Sequence, residues 1–481
     1  MVKHYTDYAV VQKYPVIKGY LDHYRRVSKN NDIPGFLSFF FVQGELTAPF
    51  VRIPMDDIHL DTRIHVFWIQ GSRTGKSISW GFVAKMLREL DLTPEVYTEG
   101  TDAGLIGGWD REETDEGIQL TIKEGLLAGH KALNFDEGSV LLKPGKFSQN
   151  TVLYLQTACN PIGSEENTLK KHTKDGPIEL ESMVSLWITT YPPNGVKEYV
   201  LNKGIFQRVL LFWRNWTMDM RKGISEERAI LPWGESSEAT MELTDIVEYF
   251  KELQGALTSR VLSFPYEGEA SCGFSGGDLK GTKLDILQWE ELDRSEQEKH
   301  VQRIARKLFT KDETFNGSML DAVDAYYSMV RGMDPKLGEV VASFIPGVVN
   351  YTIILSTHLA MVEGVWKVTG DHVHMATEIL YDLFQNLILW LEEEVEVGAK
   401  AGERRSREAA WKEGFAKCEK YDLDDRRGDG WVRKSQLLEK YGQAQNLSRN
   451  SCFTHFERGG YMFNVTREGP SIYVRLKEDY S

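Results

Sequence analysis

Residues Ile64 to Ser77 read IHVFWIQGSRTGKS: an apolar run, a short glycine-bearing turn, then Gly75-Lys76-Ser77. Residue types in this order suit the binding of a nucleotide's phosphates. The loop Gly71-Ser72-Arg73-Thr74-Gly75 would turn several backbone N–H groups toward one anion, Lys76 would reach the β- and γ-phosphates of ATP, and the Ser77 hydroxyl would ligate Mg²⁺. A helix expected from Ser77 to Leu90 aims its positive end at the same place. The pattern G-x-x-x-x-G-K-[ST] asks for glycine where Gln70 stands, and Gly71 comes one residue late. The alternative is an ordinary strand-to-helix turn.

Hydrolysis needs more than a cradle. The apolar stretch Ala132-Leu133-Asn134-Phe135 runs into Asp136-Glu137. There Asp136 would hold Mg²⁺ through water and Glu137 would polarise the attacking water. A third candidate is a hydroxyl at the tip of Val184-Ser185-Leu186-Trp187-Ile188, where Thr189 or Thr190 could orient that water or simply bond its own backbone. A fourth is Arg208 in GIFQRVL, just before another apolar run. An arginine placed there would complete a neighbouring subunit's site, with Arg214 as runner-up and a surface ion pair as the plain alternative.

The elements that must position these residues follow from the pattern of apolar runs. From Ile64 onward strand-like and helix-like stretches alternate, which indicates an α/β fold with a parallel sheet. The expected strands are Ile64 to Gln70, Glu95 to Thr98, Ala132 to Phe135, Val184 to Thr190 and Phe206 to Phe212. Residues 1–60 read as a helical N-terminal cap, with helical spacing in Tyr14 to Val27 and Gly35 to Val42. Residues 61–234 form the α/β core, and 235–293, rich in Gly, Ser and Glu, an insertion or connection. Residues 294–399 form a helical lid, with helices expected at Glu296 to Leu308, Met319 to Met329, Val348 to Val362 and Asp371 to Glu394. The charge-dense 400–430 reads as an exposed helix and linker. Residues 431–481 carry two short helices and a hairpin, the order of a winged helix-turn-helix, with a second helix over Ser448 to Phe456.

Composition sets limits. At 481 residues two or three domains are expected, and a 41% hydrophobic, 27% charged chain is that of a globular protein. No membrane partner is expected: no apolar run approaches membrane-spanning length, and the first twenty residues lack a signal peptide's apolar core, so the chain reads as cytoplasmic. Four scattered cysteines, Cys159, Cys272, Cys418 and Cys452, read as reduced thiols. A net charge of −14 argues against a general nucleic-acid coat and leaves room for a local basic channel.

Taken in order, QGSRTGKS, ALNFDEG, SLWITTYPP and GIFQR resemble the helicase-like P-loop ATPases of plasmids, phages and prophages that accompany primases. These are relatives of the superfamily 3 and minichromosome-maintenance AAA+ motors. The resemblance covers roughly Tyr14 to Trp216 and, loosely, the lid. It implies a P-loop NTPase (AAA+-like) core with ATP and Mg²⁺ as cofactors. Gly75, Lys76 and Ser77 would take the Walker A role, Asp136 and Glu137 Walker B, Thr189 or Thr190 sensor 1, and Arg208 the finger. It further implies a homo-oligomer, usually a hexameric ring, that moves on DNA with a single strand in its pore and works beside a separate primase or loader. Such motors insert a hairpin before the sensor strand. By that analogy Lys170, Lys171, His172 and Lys174, around the turn signal Asp175-Gly176, would grip the DNA backbone. The leading expectation is an ATP-dependent helicase or translocase in replication of a mobile element. A DNA-packaging motor and an ATP-switched DNA-binding regulator or scaffold are the alternatives.

Overall fold

All five residues of Val66–Gln70 are buried, and a run without a polar face can only be a strand covered on both sides. In the computed structural model it is β1 of a five-stranded parallel sheet, with β2 (Pro94–Tyr97), β3 (Ala132–Phe135), β4 (Ser185–Thr190) and β5 (Leu210–Arg214). The order across the sheet is β5-β1-β4-β3-β2. Ile188 of β4 stands opposite Phe67 on one side and Phe135 on the other, so three strands end side by side at one edge. The structure describes residues 4–28, 31–55, 58–72, 74–97, 102–114, 117–136, 138–142, 149–192, 196–197, 204–214, 222, 239–263, 308–396, 410–420, 430–445, 452, 456, 463–468 and 471–477.

The fold is therefore α/β, and the five expected strands are present with small shifts at their ends. The largest shift is in β5, which begins at Leu210 because Phe206 and Val209 are buried in a turn and not in the strand.

The longer helices that precede the sheet are α1 (Pro15–Val27) and α2 (Asp32–Thr47), after a one-turn helix over Ala9–Lys13. Every residue of α2 from Ile33 to Thr47 is buried, as in a helix at the middle of a body. Its rings say against what. Phe41 lies 5.4 Å from Trp187 of β4, Phe40 5.7 Å from His358, and Phe39 5.4 Å from Phe250. This helix, expected in a cap, is the hub that joins the sheet to the helices that follow.

After α3 (Lys76–Glu89), which follows β1, the next long helix is α4 (Leu243–Ser263). It lies in the segment read as an insertion, and it buries Ile246, Phe250 and Leu257. The rest of that segment lies outside the described residues. Next come α5 (Phe315–Val330), α6 (Ile345–Glu363) and α7 (Gly370–Glu394), close to the expected spans, whereas Glu296 to Lys307 lies outside the described residues. The stretch Leu337–Glu363 is long and apolar enough to cross a membrane, contrary to the sequence expectation. Its most apolar window is 67% buried inside the chain, and Tyr351 of α6 donates a hydrogen bond to the Arg208 carbonyl oxygen at 2.7 Å.

Among the described residues, three antiparallel hairpins decorate the core. Thr168–Thr173 with Gly176–Glu181 is the expected one. Arg52–Met55 with Ile58–Asp61 and Gly107–Thr114 with Gly117–Glu124 were not foreseen.

The chain divides into two compact units, Met1–Glu393 and Glu394–Ser481. The second has a core of its own around Trp411, whose ring stacks on Tyr441 at 3.6 Å, with Phe456, Phe463 and Val474. Ala410, Trp411 and Phe415 belong to this core, so the stretch is helical as expected but these residues are buried and not exposed. Its sheet pairs Ser471–Leu476 with Phe463–Glu468 on one side and Val432–Arg433 on the other. Helix Lys434–Gln445 is present, and of the expected second helix only Cys452 and Phe456 are described, both buried. Cys159, Cys418 and Cys452 are free and buried, and Cys272 lies outside the described residues.

Candidate nucleotide site

The loop after β1 is shaped from below by the junction of α1 and α2. Gly75, the residue before α3, has φ +101°, a conformation that disfavours any side chain, and a Cβ there would sit 2.7 Å from the Ser28 hydroxyl. Gln70 is the last residue of β1, paired with Arg214 of β5, so its backbone is extended and asks for no glycine. Its buried amide is put to use. The Trp68 indole N–H donates to Gln70 Oε1, and Gln70 Nε2 donates to Asn31 Oδ1 at 3.1 Å. Asn31 Nδ2 in turn donates to the Thr74 carbonyl oxygen at 2.8 Å and to Ser28 Oγ at 2.9 Å. Ser79 Oγ, itself accepting from the Tyr24 hydroxyl at 2.9 Å, donates to the Gly75 carbonyl at 2.7 Å. Tyr24, Ser28 and Asn31 went unnoticed in the sequence. The one signal was the turn-forming run Ser28-Lys29-Asn30-Asn31-Asp32 between two helical stretches.

Lys76 opens α3 and is 9% exposed. Its ammonium donates to the Gln70 carbonyl and, at 3.0 Å, to the Gly71 carbonyl, and lies 4.5 Å from the centre of the Tyr191 ring. Gly71 is partly exposed, Ser72 and Ser77 are exposed, and Thr74 is buried with its hydroxyl donating to the Gly71 carbonyl at 2.7 Å. Arg73 lies outside the described residues.

Two strands away, Asp136 follows β3 directly and is exposed. The Thr189 hydroxyl at the end of β4 donates to Asp136 Oδ1 at 3.1 Å. Successive residues of a strand face opposite ways, so only one of the two threonines can do this. Thr190 instead donates to the Tyr191 carbonyl at 3.4 Å. Glu137 lies outside the described residues. Among those described, no group of three or more His, Cys, Asp or Glu could hold a metal ion. The Ser77 hydroxyl and the Asp136 carboxylate suit Mg²⁺, which keeps several waters and takes phosphate oxygens as ligands.

Arg208 lies elsewhere. It comes two residues before β5, whose Leu210 stands opposite Val66 at the start of β1, while the cradle follows the other end of β1. The length of β1 separates the two edges by roughly 13 Å. The Arg208 guanidinium donates to Asn160 Oδ1 at 2.7 Å and to the Gly204 carbonyl at 2.9 Å. It does not join the cradle of its own chain. Arg214 does end beside the cradle; burial lowers its pKa, and the nearby Asp32 charge opposes that shift.

On the hairpin, Lys170, His172 and Lys174 are exposed, and Lys170 Nζ lies 3.5 Å from Glu179 Oε1. Lys171 turns the other way and donates to the Gly107 carbonyl at 3.2 Å. With Trp109 Nε1 donating to the Gly176 carbonyl at 3.3 Å and Arg111 paired with Asp175, the two longer hairpins are laced together. No family model matches the chain, and no curated protein matches it either.

Proposed function

We propose that this chain is an ATP-hydrolysing P-loop motor with an AAA+-like core, acting on DNA as a ring of its own copies. The observation that carries the reading is the bond from Thr189 to Asp136, made by a strand that runs between the Lys76 loop and the Asp136 strand. That order brings a cation, a hydroxyl and a carboxylate to one edge of the sheet. Mg²⁺-ATP, when bound, supplies the transferable γ-phosphoryl group. Lys76 would balance phosphate charge, Ser77 and Asp136 would hold the metal, Thr189 would fix the Asp136 carboxylate, and Glu137 would take the water's proton.

The position of Arg208 supports a multi-subunit site. An arginine that cannot reach its own cradle can still serve the cradle of an adjacent copy. The exposed Lys170, His172 and Lys174 support a DNA contact, and charge confined to a ring's bore is compatible with a net charge of −14. Replication of a mobile element, a hexameric state and a partner primase or loader rest on the family resemblance alone.

Turnover and its subunit dependence test this together. With Mg²⁺ and single-stranded DNA the protein hydrolyses ATP, and Lys76→Ala and Arg208→Ala each lose about 100-fold or more. Mixing the two inactive variants restores part of the activity, because some interfaces then pair an intact Lys76 with an intact Arg208. Absence of DNA-stimulated turnover in the unaltered chain ends the motor reading, while an active Arg208→Ala removes only the shared site.

A further inference from the structure

We propose that Tyr191 is a gate on the cradle: its ring holds the Lys76 ammonium inside the loop until a phosphate draws it out. The proposal rests on the reading of this loop as a nucleotide site. A lysine that serves phosphates must point its ammonium out of the loop. Here the ammonium points in, bonded to the carbonyls of Gln70 and Gly71, and the side chain is 9% exposed. The lysine fills its own cradle. A ring face 4.5 Å from Nζ adds a cation–π attraction on top of the two carbonyl bonds.

Tyr191 has little to gain from that position by burial. It is 51% exposed, a large aromatic side chain left at the open edge of the sheet, where packing alone gives it no reason to stay. Its backbone is stiff, since the residue before a proline, here Pro192, is held extended. The ring therefore opens by side-chain rotation, with the end of β4 unmoved. Thr189 lies two residues back on the same strand end and bonds Asp136, so one short segment touches both the phosphate-binding lysine and the metal-holding carboxylate.

A closed gate lowers the fraction of molecules ready to bind, and the apparent dissociation constant rises by the inverse of that fraction. Removing the ring should therefore tighten binding, which is the reverse of what losing a contact to bound nucleotide would do. The expected size is about 2- to 5-fold, the range of a partly exposed cation–π contact.

Stopped-flow binding of a ribose-labelled fluorescent ATP to the full chain reads this directly. Tyr191→Ala raises the on-rate and lowers the dissociation constant about 2- to 5-fold with the off-rate unchanged, whereas Tyr191→Phe, which keeps the ring, matches the unaltered chain. The gate is overturned by Tyr191→Ala binding that is equal or weaker, by a gain carried in the off-rate, or by Tyr191→Phe behaving like Tyr191→Ala. If the unaltered chain binds no nucleotide at all, the nucleotide reading falls and the gate with it. Binding that Tyr191→Ala leaves unchanged removes the gate and leaves that reading standing.

Discussion

A buried amide at the end of β1 ties three parts of the first unit together. Gln70 accepts from the Trp68 indole and donates to Asn31, which holds the Thr74 carbonyl of the loop. The motif's glycine is absent here because the backbone at this point is extended, and the side chain has become part of the scaffold. Restoring the glycine should therefore harm the protein. Gln70→Gly leaves the Trp68 indole and Asn31 Oδ1 without their partner and adds backbone freedom to the unfolded chain, together costing about 2–4 kcal/mol. Urea unfolding of the two proteins checks this, and a Gln70→Gly chain as stable as its parent would refute the scaffold role.

Elements are as legible as their burial is one-sided or complete. β1, β3 and β4 are buried along their whole length and read as mostly apolar runs, and so Lys76, Asp136 and Thr189, which sit at their ends, could be named as candidates from sequence. The hairpin Gly107–Thr114 with Gly117–Glu124 gave no such signal, because WDREETDEGIQLTIKE scatters acids among few apolar residues, and Leu120 and Ile122 are exposed. Helix α4 was hidden for a different reason: averaging over 235–293 drowned TDIVEYFKEL in the glycines and serines beyond it. Asn31 was out of reach altogether, since it meets Gln70 across 39 residues. On the hairpin Thr168–Thr173 with Gly176–Glu181, strand alternation puts Lys170 and His172 on one face with Lys174 at the turn, whereas Lys171 faces the neighbouring hairpin. A backbone grip there is blind to base sequence. The triple change Lys170→Ala, His172→Ala, Lys174→Ala should weaken single-stranded DNA binding evenly across sequences. It should also flatten the log K against log salt slope by about 2. An unaltered slope in that titration would remove the hairpin from the DNA contact.

For the molecule as a whole, the layer where α2, α6 and the sheet meet sets how stability responds to acid. His65 accepts from the Leu186 amide at 3.2 Å, and His358 donates to the Thr62 carbonyl at 2.8 Å. Both are fully buried and stay neutral: burial, helped by Arg63, pushes the His65 pKa down to about 3, and burial takes that of His358 down to about 4. In the unfolded chain each would protonate near 6.5, so below that pH the unfolded state binds more protons and stability falls as the pH drops toward the native values. Asp61 acts in a lower window. Burial alone would raise its pKa, but Arg63, with a guanidinium nitrogen 2.9 Å away, prevails and holds it below the usual carboxylate range. Its contribution persists until the pH falls below about 4. Between pH 7 and 5, therefore, these two histidines should contribute a loss of roughly 1–2 kcal/mol each. Urea unfolding at pH 7, 6 and 5 measures it, and His358→Gln, which keeps a donor for Thr62, should flatten the dependence by the roughly 1–2 kcal/mol that His358 contributes. If the unaltered chain held the same stability across that range, or if His358→Gln left the slope as steep, the two rings would not be the groups that take up the protons.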